Sequence, residues 1–329
     1  MKSHPRIFVS GPLPGRAMEW LRAIGDVTLG EPGVGVRSPD FLAHAASFEA
    51  LVTYLTDAVD RALLERLPAL RLVANVAVGV DNIDVAACAE RGVIVTNTPG
   101  VLTEATADLA FGLLLAASRR IAEGDRMVRA GGFHGFRFDT LVGARVHGAT
   151  LGIVGFGRIG QAMARRARGF GMHVLYTQRT PLIPRLEAAL GAAYVTMDEL
   201  FKRSDAVSLH CPLTNETRGL VSAELLATMK PGSILINTAR GACVDEAALA
   251  NALREGPLGA AALDVFARES TSSVHIDQEL LAQDNVVFTP HIASADRSTR
   301  TAMAETAAEN AVAFFRDGTP PNIVHNRLP

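Results

Sequence analysis

Three side chains in the last third of the chain could together run acid–base chemistry on a small anion: Arg240, Glu269 and His291. Arg240 stands in Asn237-Thr238-Ala239-Arg240-Gly241, Glu269 follows Leu263-Asp264-Val265-Phe266, and His291 stands in Thr289-Pro290-His291-Ile292-Ala293-Ser294. An arginine offers a planar fork that holds a carboxylate and polarises a neighbouring carbonyl. A histidine gives up and takes protons in the working range. A carboxylate beside it fixes the ring and stabilises its positive charge. The set suits reduction of a 2-oxo acid, with Arg240 as anchor and His291 as proton donor to the developing alkoxide. Taken singly, each residue has a plainer use: a salt-bridge arginine, a solvated glutamate, a satisfied core histidine. Their weight comes from a second motif upstream.

That motif is Gly155-Phe156-Gly157-Arg158-Ile159-Gly160. It follows the apolar run Leu151-Gly152-Ile153-Val154 and opens a helical stretch. Strand, glycines and helix in that order form the fingerprint of a dinucleotide-binding unit. Gly155 permits the tight turn, Gly157 lets backbone approach a pyrophosphate, and Gly160 lets helix and strand pack closely. Arg158 and Ile159 open the helix, whose free N–H groups and dipole favour phosphate. The hydride for Arg240 and His291 would come from the nicotinamide of such a ligand. A carboxylate about 20 residues past the glycines normally bonds the ribose hydroxyls of NAD. Here Gln178-Arg179-Thr180 occupies the place, and no acid occurs from Met172 through Leu186. A guanidinium with no carboxylate nearby suits a 2′-phosphate. The expected cofactor is NADP, with NAD as the alternative.

The elements that must position these residues alternate in type. Strands are expected at Ile7–Ser10, Leu72–Val76, Val93–Asn97, Leu151–Gly155, His173–Tyr176, Ala206–His210, Ile234–Asn237, Ala261–Val265 and Val286–Thr289. Helices are expected at Arg158–Gly171, Ser222–Met229 and Glu246–Glu255, with one or two long helices over Thr103–Ala130. Alternating β and α elements imply α/β architecture with doubly wound parallel sheets. Apolar runs without alternation, such as Ile234-Leu235-Ile236, fit strands covered on both faces. The glycine loop begins at residue 155, so the preceding βα alternation needs a domain of its own. Gly131–Gly148 reads as an irregular connection. The motif residues sit at the carboxyl ends of strands, where open α/β sheets bind ligands.

The bulk properties agree. The chain has 329 residues, 48% hydrophobic and 20% charged, enough for two cored domains. A net charge of −2 with no long basic run gives no footing for nucleic acid or a polybasic membrane surface. Cys88, Cys211 and Cys243 form no C-x-x-C pair, which favours reduced, buried thiols over disulfides or zinc. The scattered histidines show no metal-ligand spacing, so no metal is expected. The strand-like start, Arg6–Ser10, is too short for a signal-peptide core. The apolar run Leu109–Ala117 falls well short of the ~18 residues that span a bilayer. A soluble, cytoplasmic protein without a membrane partner is expected.

Motifs across nearly the whole chain resemble the D-isomer-specific 2-hydroxyacid dehydrogenases, and most closely their glyoxylate/hydroxypyruvate reductase branch. They are Ala74-Asn75-Val76-Ala77-Val78-Gly79-Val80-Asp81-Asn82-Ile83-Asp84, Thr96-Asn97-Thr98-Pro99-Gly100, Glu104-Ala105-Thr106-Ala107-Asp108-Leu109 and those above. The resemblance implies a Rossmann dinucleotide-binding domain at 103–291 and a flavodoxin-like substrate domain at 1–102 and 292–329, with a cleft between. It implies that Arg240 and His291 bind substrate and that Glu269 is the partner of His291. Val78 and Gly79 would offer N–H groups to the substrate carboxylate, and Leu55 and Thr56 would lie over the substrate. Thr106 and Asp264 would face the nicotinamide. Pro212, Thr217, Thr238 and Ser294 would contribute to the cofactor site. A homodimer through Thr103–Gly148 is implied as well.

Two departures stand out. Ser270 replaces the common proline after the glutamate, and Ala293-Ser294 replaces the usual glycine-containing pair. Glu269 argues against formate dehydrogenase activity, where a glutamine is usual. With only 38 residues after His291, no appended regulatory domain is expected. Other substrates on the same fold are 2-ketogluconate, phosphoglycerate or phosphite, decided by pocket residues near Leu55, Phe133, Phe136 and Arg297. A dinucleotide-sensing, corepressor-like interaction protein is the rival outside metabolism.

Overall fold

The computed structural model describes residues 4–31, 33–269 and 274–324. The chain divides into two compact units, the first from Met1–Leu102 and Ser294–Pro329, the second from Thr103–Glu269 and Val274–Ala293. Ile292 and Ala293 thus go with the second unit. Ser270 lies outside the described residues.

In the first unit, strands β1 (Arg6–Val9), β2 (Asp26–Leu29), β3 (Ala50–Thr53), β4 (Leu72–Asn75) and β5 (Ile94–Thr96) form one parallel sheet. Its order, β2-β1-β3-β4-β5, is the flavodoxin-like one. Strand side chains alternate between faces. Ile7 and Val9 therefore pack with Val52, Leu72 and the helix Arg297–Asp317. Phe8 turns the other way, onto Phe41, whose ring stacks on Phe48 at 5.5 Å between centroids. The Arg297–Asp317 helix approaches the sheet through Ala304, Ala307, Ala308 and Ala311, all fully buried. Asp296 caps it by accepting from Thr299 N at 2.8 Å. Hydrogen bonds from Ser298 and Thr299 hold the Asp296 carboxyl down at about 2.

The second unit carries β6 (Thr150–Val154), β7 (His173–Thr177), β8 (Ala192–Tyr194), β9 (Ala206–Leu209), β10 (Ser233–Asn237) and β11 (Leu258–Leu263). After β11 come β12 (Arg268–Glu269), β13 (Val274–His275) and β14 (Val286–Phe288). Seven strands form a parallel sheet in the order β14-β11-β10-β9-β6-β7-β8. The winding reverses between β6 and β9, the switch point where such sheets bind ligands. Strands β12 and β13 pair antiparallel on their own.

Nine strands were expected from the sequence; β2, β3, β8 and the β12–β13 pair were not among them. Strand β2 is a half-exposed edge and β8 a three-residue one, so neither carries a buried pattern. Strand β3 is fully buried and four residues long, like β4. The Thr103–Ala130 stretch is two helices, Thr103–Ser118 and Ile121–Arg129, broken where Arg120 takes φ 52°. The helix after the glycine loop ends at Gly169, because Gly171 turns left-handed at φ 63°. No helix among the described residues is long and apolar enough to cross a membrane.

Candidate active site

Each glycine of the loop after β6 has a distinct physical reason. Gly155 has φ 88°, and a Cβ there would sit 2.7 Å from the His210 carbonyl carbon and the Cys211 nitrogen, at the switch point. A Cβ on Gly160 would lie 2.3 Å from Gly155 O, so only glycine lets the helix close on the strand. Gly157 has nothing within 4 Å, which leaves its backbone open to a ligand. It is the N-cap of the Arg158–Gly169 helix and makes no side-chain cap. Among the described residues the Arg158 and Ile159 N–H groups have no partner. Free N–H groups at a helix start, beside a glycine-lined space, form an anion site.

Beyond β7, Tyr176 organises the Gln178–Leu182 loop. Its ring stacks on Phe156 at 4.1 Å between centroids. Its hydroxyl donates to Glu187 Oε1 at 2.7 Å and accepts from Leu182 N at 2.8 Å. Burial, with Glu187 beside it, pushes the phenol up to about 12, so it stays a neutral donor. Gln178 Nε2 donates to Thr180 O at 2.7 Å, while Arg179 and Thr180 are exposed. The Arg179 charge reaches the exposed Glu216 carboxylate, whose stronger depression comes from hydrogen bonding with Thr214.

The second unit also holds the whole acid–base set. Arg240 follows β10 in extended backbone, φ −143°. The buried Asn237 carboxamide brackets it, donating to Arg240 O at 2.9 Å and accepting from Ala239 N at 3.0 Å. Gly241 packs directly on the backbone of Phe266 and Ala267, where no Cβ would fit. Glu246 accepts from Ala267 N at 2.7 Å, two residues before Glu269. Neither Gly241 nor Glu246 was singled out from sequence, since their partners lie 25 and 21 residues away and only the fold joins them.

His291 Nδ1 lies 3.0 Å from Glu269 Oε2, with both side chains about one-fifth exposed. A carboxylate only accepts, so Nδ1 carries the hydrogen and Nε2 is left for chemistry. His291 has φ 51°, a left-handed conformation that a non-glycine residue adopts only when its surroundings impose it. The imposition comes from Asp264, fully buried at the end of β11. Its Oδ1 accepts from Thr289 Oγ1 at 2.6 Å and Ile292 N at 2.8 Å, its Oδ2 from Ala293 N at 2.9 Å, and its own carbonyl accepts from His291 N at 2.9 Å. Burial pushes the Asp264 carboxyl up, while these hydrogen bonds and nearby His291 pull it back. Both Asp264 side-chain oxygens thus serve the His291 turn.

Other expected site residues divide by unit. In the second, Thr106 and Thr238 are buried, and the Thr238 hydroxyl has no partner among the described residues. Thr217 spends its hydroxyl on Pro212 O at 2.6 Å and Thr214 N at 2.8 Å, so it shapes the Pro212 turn. In the first, Leu55 follows β3, while Val78 and Gly79 follow β4, all half-buried. Ser294 belongs to the first unit and is half-buried.

His210, at the switch point, was not singled out. Its Nε2 lies 2.9 Å from Ser208 Oγ, its Nδ1 is buried without a partner, and burial pushes it down from 6.5 to about 4. The folded ring is neutral at a pH where the unfolded chain would protonate it. Its contribution to stability is therefore complete above pH 6.5 and is lost as pH falls from 6.5 toward 4. Melting temperature should drop through that window, and His210→Gln should flatten the drop. Parallel curves for the two proteins would clear the ring of any part in it. The three cysteines are buried and form no disulfide. Contact with the Cys243 thiol, then burial, pushes Cys211 up, and burial pushes Cys88 up to about 11, so they are poor nucleophiles.

Residues 111–293 match the family model described as D-isomer specific 2-hydroxyacid dehydrogenase, NAD binding domain. The chain is 46% identical over 328 residues to a glyoxylate reductase of Thermococcus litoralis, covering 98% of this chain and 97% of that protein. Among solved structures, a glyoxylate reductase from Paecilomyes thermophila superposes with a TM-score of 0.88 at 32% identity, covering 98% of this chain and 99% of that one. An NADPH-dependent glyoxylate/hydroxypyruvate reductase from Sinorhizobium meliloti, in complex with NADP and malonate, superposes with a TM-score of 0.86 at 35% identity, covering 98% and 97%.

Proposed function

The chain belongs to the D-isomer-specific 2-hydroxyacid dehydrogenases, and on that footing we propose that it reduces glyoxylate, hydroxypyruvate or a close 2-oxo acid with NADPH. The observation that carries the reading is the His291–Glu269 contact at 3.0 Å in the same unit as a glycine loop with an open anion site. Bound in that loop, the dinucleotide would supply hydride to the carbonyl carbon. Arg240 holds the substrate carboxylate and draws electron density from the carbonyl. The protonated His291 delivers its Nε2 proton to the developing alkoxide, and Glu269 holds the ring and stabilises its charge until then. Hydroxypyruvate gives a D-2-hydroxy acid by this route, and glyoxylate gives achiral glycolate. Glyoxylate reductases among the relatives favour this substrate class over sugar acids, phosphoglycerate, phosphite or a corepressor role. A panel of 2-oxo acids with NADPH and NADH tests it, and no turnover with either cofactor would remove the proposal.

The preference for NADP rests on Gln178-Arg179-Thr180, two of them exposed, and on the missing acid from Met172 through Leu186. Arg179→Glu should cut kcat/KM for NADPH by about tenfold or more, as a lost charge-assisted contact implies, and leave NADH nearly unaffected. A wild-type kcat/KM higher with NADH would end the preference.

The assembly we propose is a homodimer. Phe133, Phe136, Phe138 and Val142, in the stretch after the Ile121–Arg129 helix, are 58%, 88%, 94% and 69% exposed. Large apolar side chains this exposed within one short stretch are what a second copy covers. Phe136→Asp with Phe138→Asp should convert a dimer to monomer in analytical ultracentrifugation. Three buried cysteines without a disulfide suit the reducing cytoplasm as the compartment.

A further inference from the structure

We infer that Asn97 is a positioning residue for substrate: it sets the peptide planes whose N–H groups take the acid's carboxylate. This rests on the reading above, that a 2-oxo acid binds. The loop after β4 has three carbonyls in a row, each pinned. Ala77 O accepts from Thr98 N at 2.9 Å, Val78 O from Asn97 Nδ2 at 2.8 Å, and Gly79 O from Asn75 Nδ2 at 2.9 Å. In a trans peptide the C=O and the following N–H point opposite ways. Pinning Ala77 O therefore aims the Val78 N–H away from the segment after β5, and pinning Val78 O aims the Gly79 N–H the same way relative to Asn97. Neither N–H has a partner among the described residues, and both residues are half-buried rather than shielded. Two adjacent, unspent N–H groups whose orientation is fixed from behind form a site for a carboxylate.

Asn97 is itself held. Its carbonyl accepts from Asn310 Nδ2 at 3.0 Å, and its N–H donates to Asn322 O at 3.2 Å. Asn310 is fully buried on the Arg297–Asp317 helix, and its Oδ1 accepts from Asn322 N and Nδ2 at 3.2 and 3.0 Å. A chain of carboxamides thus runs from that helix through Asn97 to the Val78 peptide. It gives the Thr96-Asn97-Thr98-Pro99-Gly100 motif a use that its sequence does not show.

The test is Asn97→Asp, nearly isosteric but placing an acceptor against Val78 O. Released from its pin, the peptide can turn, and the KM for glyoxylate should rise about tenfold or more, the scale of a lost buried hydrogen bond. The dissociation constant of NADPH and the melting temperature should change little, and kcat far less than KM. Oxalate, a dicarboxylate with no reducible carbonyl, should bind the NADPH complex correspondingly more weakly by calorimetry. Asn97→Ser, smaller and free of charge, repeats the test should Asn97→Asp fail to fold. Unchanged glyoxylate KM and oxalate affinity in a folded variant would overturn the inference, as would equal losses in kcat and NADPH binding. A wild-type chain that binds oxalate but reduces no 2-oxo acid would sink the reductase reading alone, and weakened oxalate binding in the variant would still uphold Asn97. Wild-type protein that binds neither acid overturns both.

Discussion

Arg240→Ala is expected to fold, to bind NADPH and to lose about 10²- to 10³-fold in kcat/KM for glyoxylate, the size measured when one preorganised donor is removed from a developing oxyanion. The fold should survive because the Asn237 bracket engages only main-chain atoms of Ala239 and Arg240, and those remain. Binding of NADPH should survive because the loop of Gly155, Gly157 and Gly160 lies on a different strand end, after β6. Arg240→Lys should recover little, since an ammonium lacks the planar fork that grips carboxylate and carbonyl together. Guanidinium ion added to the alanine variant should restore part of the rate. Near-normal kcat/KM in Arg240→Ala would refute its role outright.

His291 calls for a more careful choice of substitution. At φ 51° a β-branched side chain would break the turn, and its lost activity would say nothing about proton transfer. Asparagine tolerates left-handed backbone, keeps the Asp264 hydrogen bonds to Ile292 and Ala293, and removes the titrating ring. His291→Asn should lower kcat by about 10²- to 10⁴-fold, the range of a general acid, with NADPH affinity retained. Glu269→Gln should cost less, because the amide oxygen can still accept from Nδ1 at the 3.0 Å site while the stabilising charge is gone. A Glu269→Gln loss larger than that of His291→Asn would assign the proton donor to Glu269 and not to His291.

The parts legible in the sequence were those where one residue type answers one local demand. Gly155 and Gly160 are glycines because a Cβ would strike backbone within 2.7 Å, and that demand has a fixed spacing. Strands β6 and β10 were legible because sheets covered on both faces favour apolar runs without alternation. Arg240, Glu269 and His291 were legible because each closes or follows such a run. The rest depends on partners that sequence does not bring together. Asp264 reads as a polar residue ending a strand; that it clamps the His291 turn requires β11 to end beside residues 289–293. Asn97 reads as part of a motif; its hold on Val78 O requires β4 and β5 to be neighbours. Strand β3 is as short and as fully buried as β4, so burial alone does not make a four-residue run legible.

The first unit is interrupted in the chain: its sheet is complete by Thr96, but the Arg297–Asp317 helix that covers one face comes after the whole second unit. On the ribosome, therefore, Ile7, Val9, Val52 and Leu72 emerge long before Met303, Ala307, Ala311 and Phe314 do. At about 5–20 residues per second of synthesis, that bare apolar face waits some ten seconds or more for its cover, while the second unit already has all of its strands. The second unit thus has all of its strands before the Arg297–Asp317 helix seals the first. A truncation within that helix would leave an intact dinucleotide unit tethered to an unsealed sheet, a target for chaperones rather than a smaller enzyme.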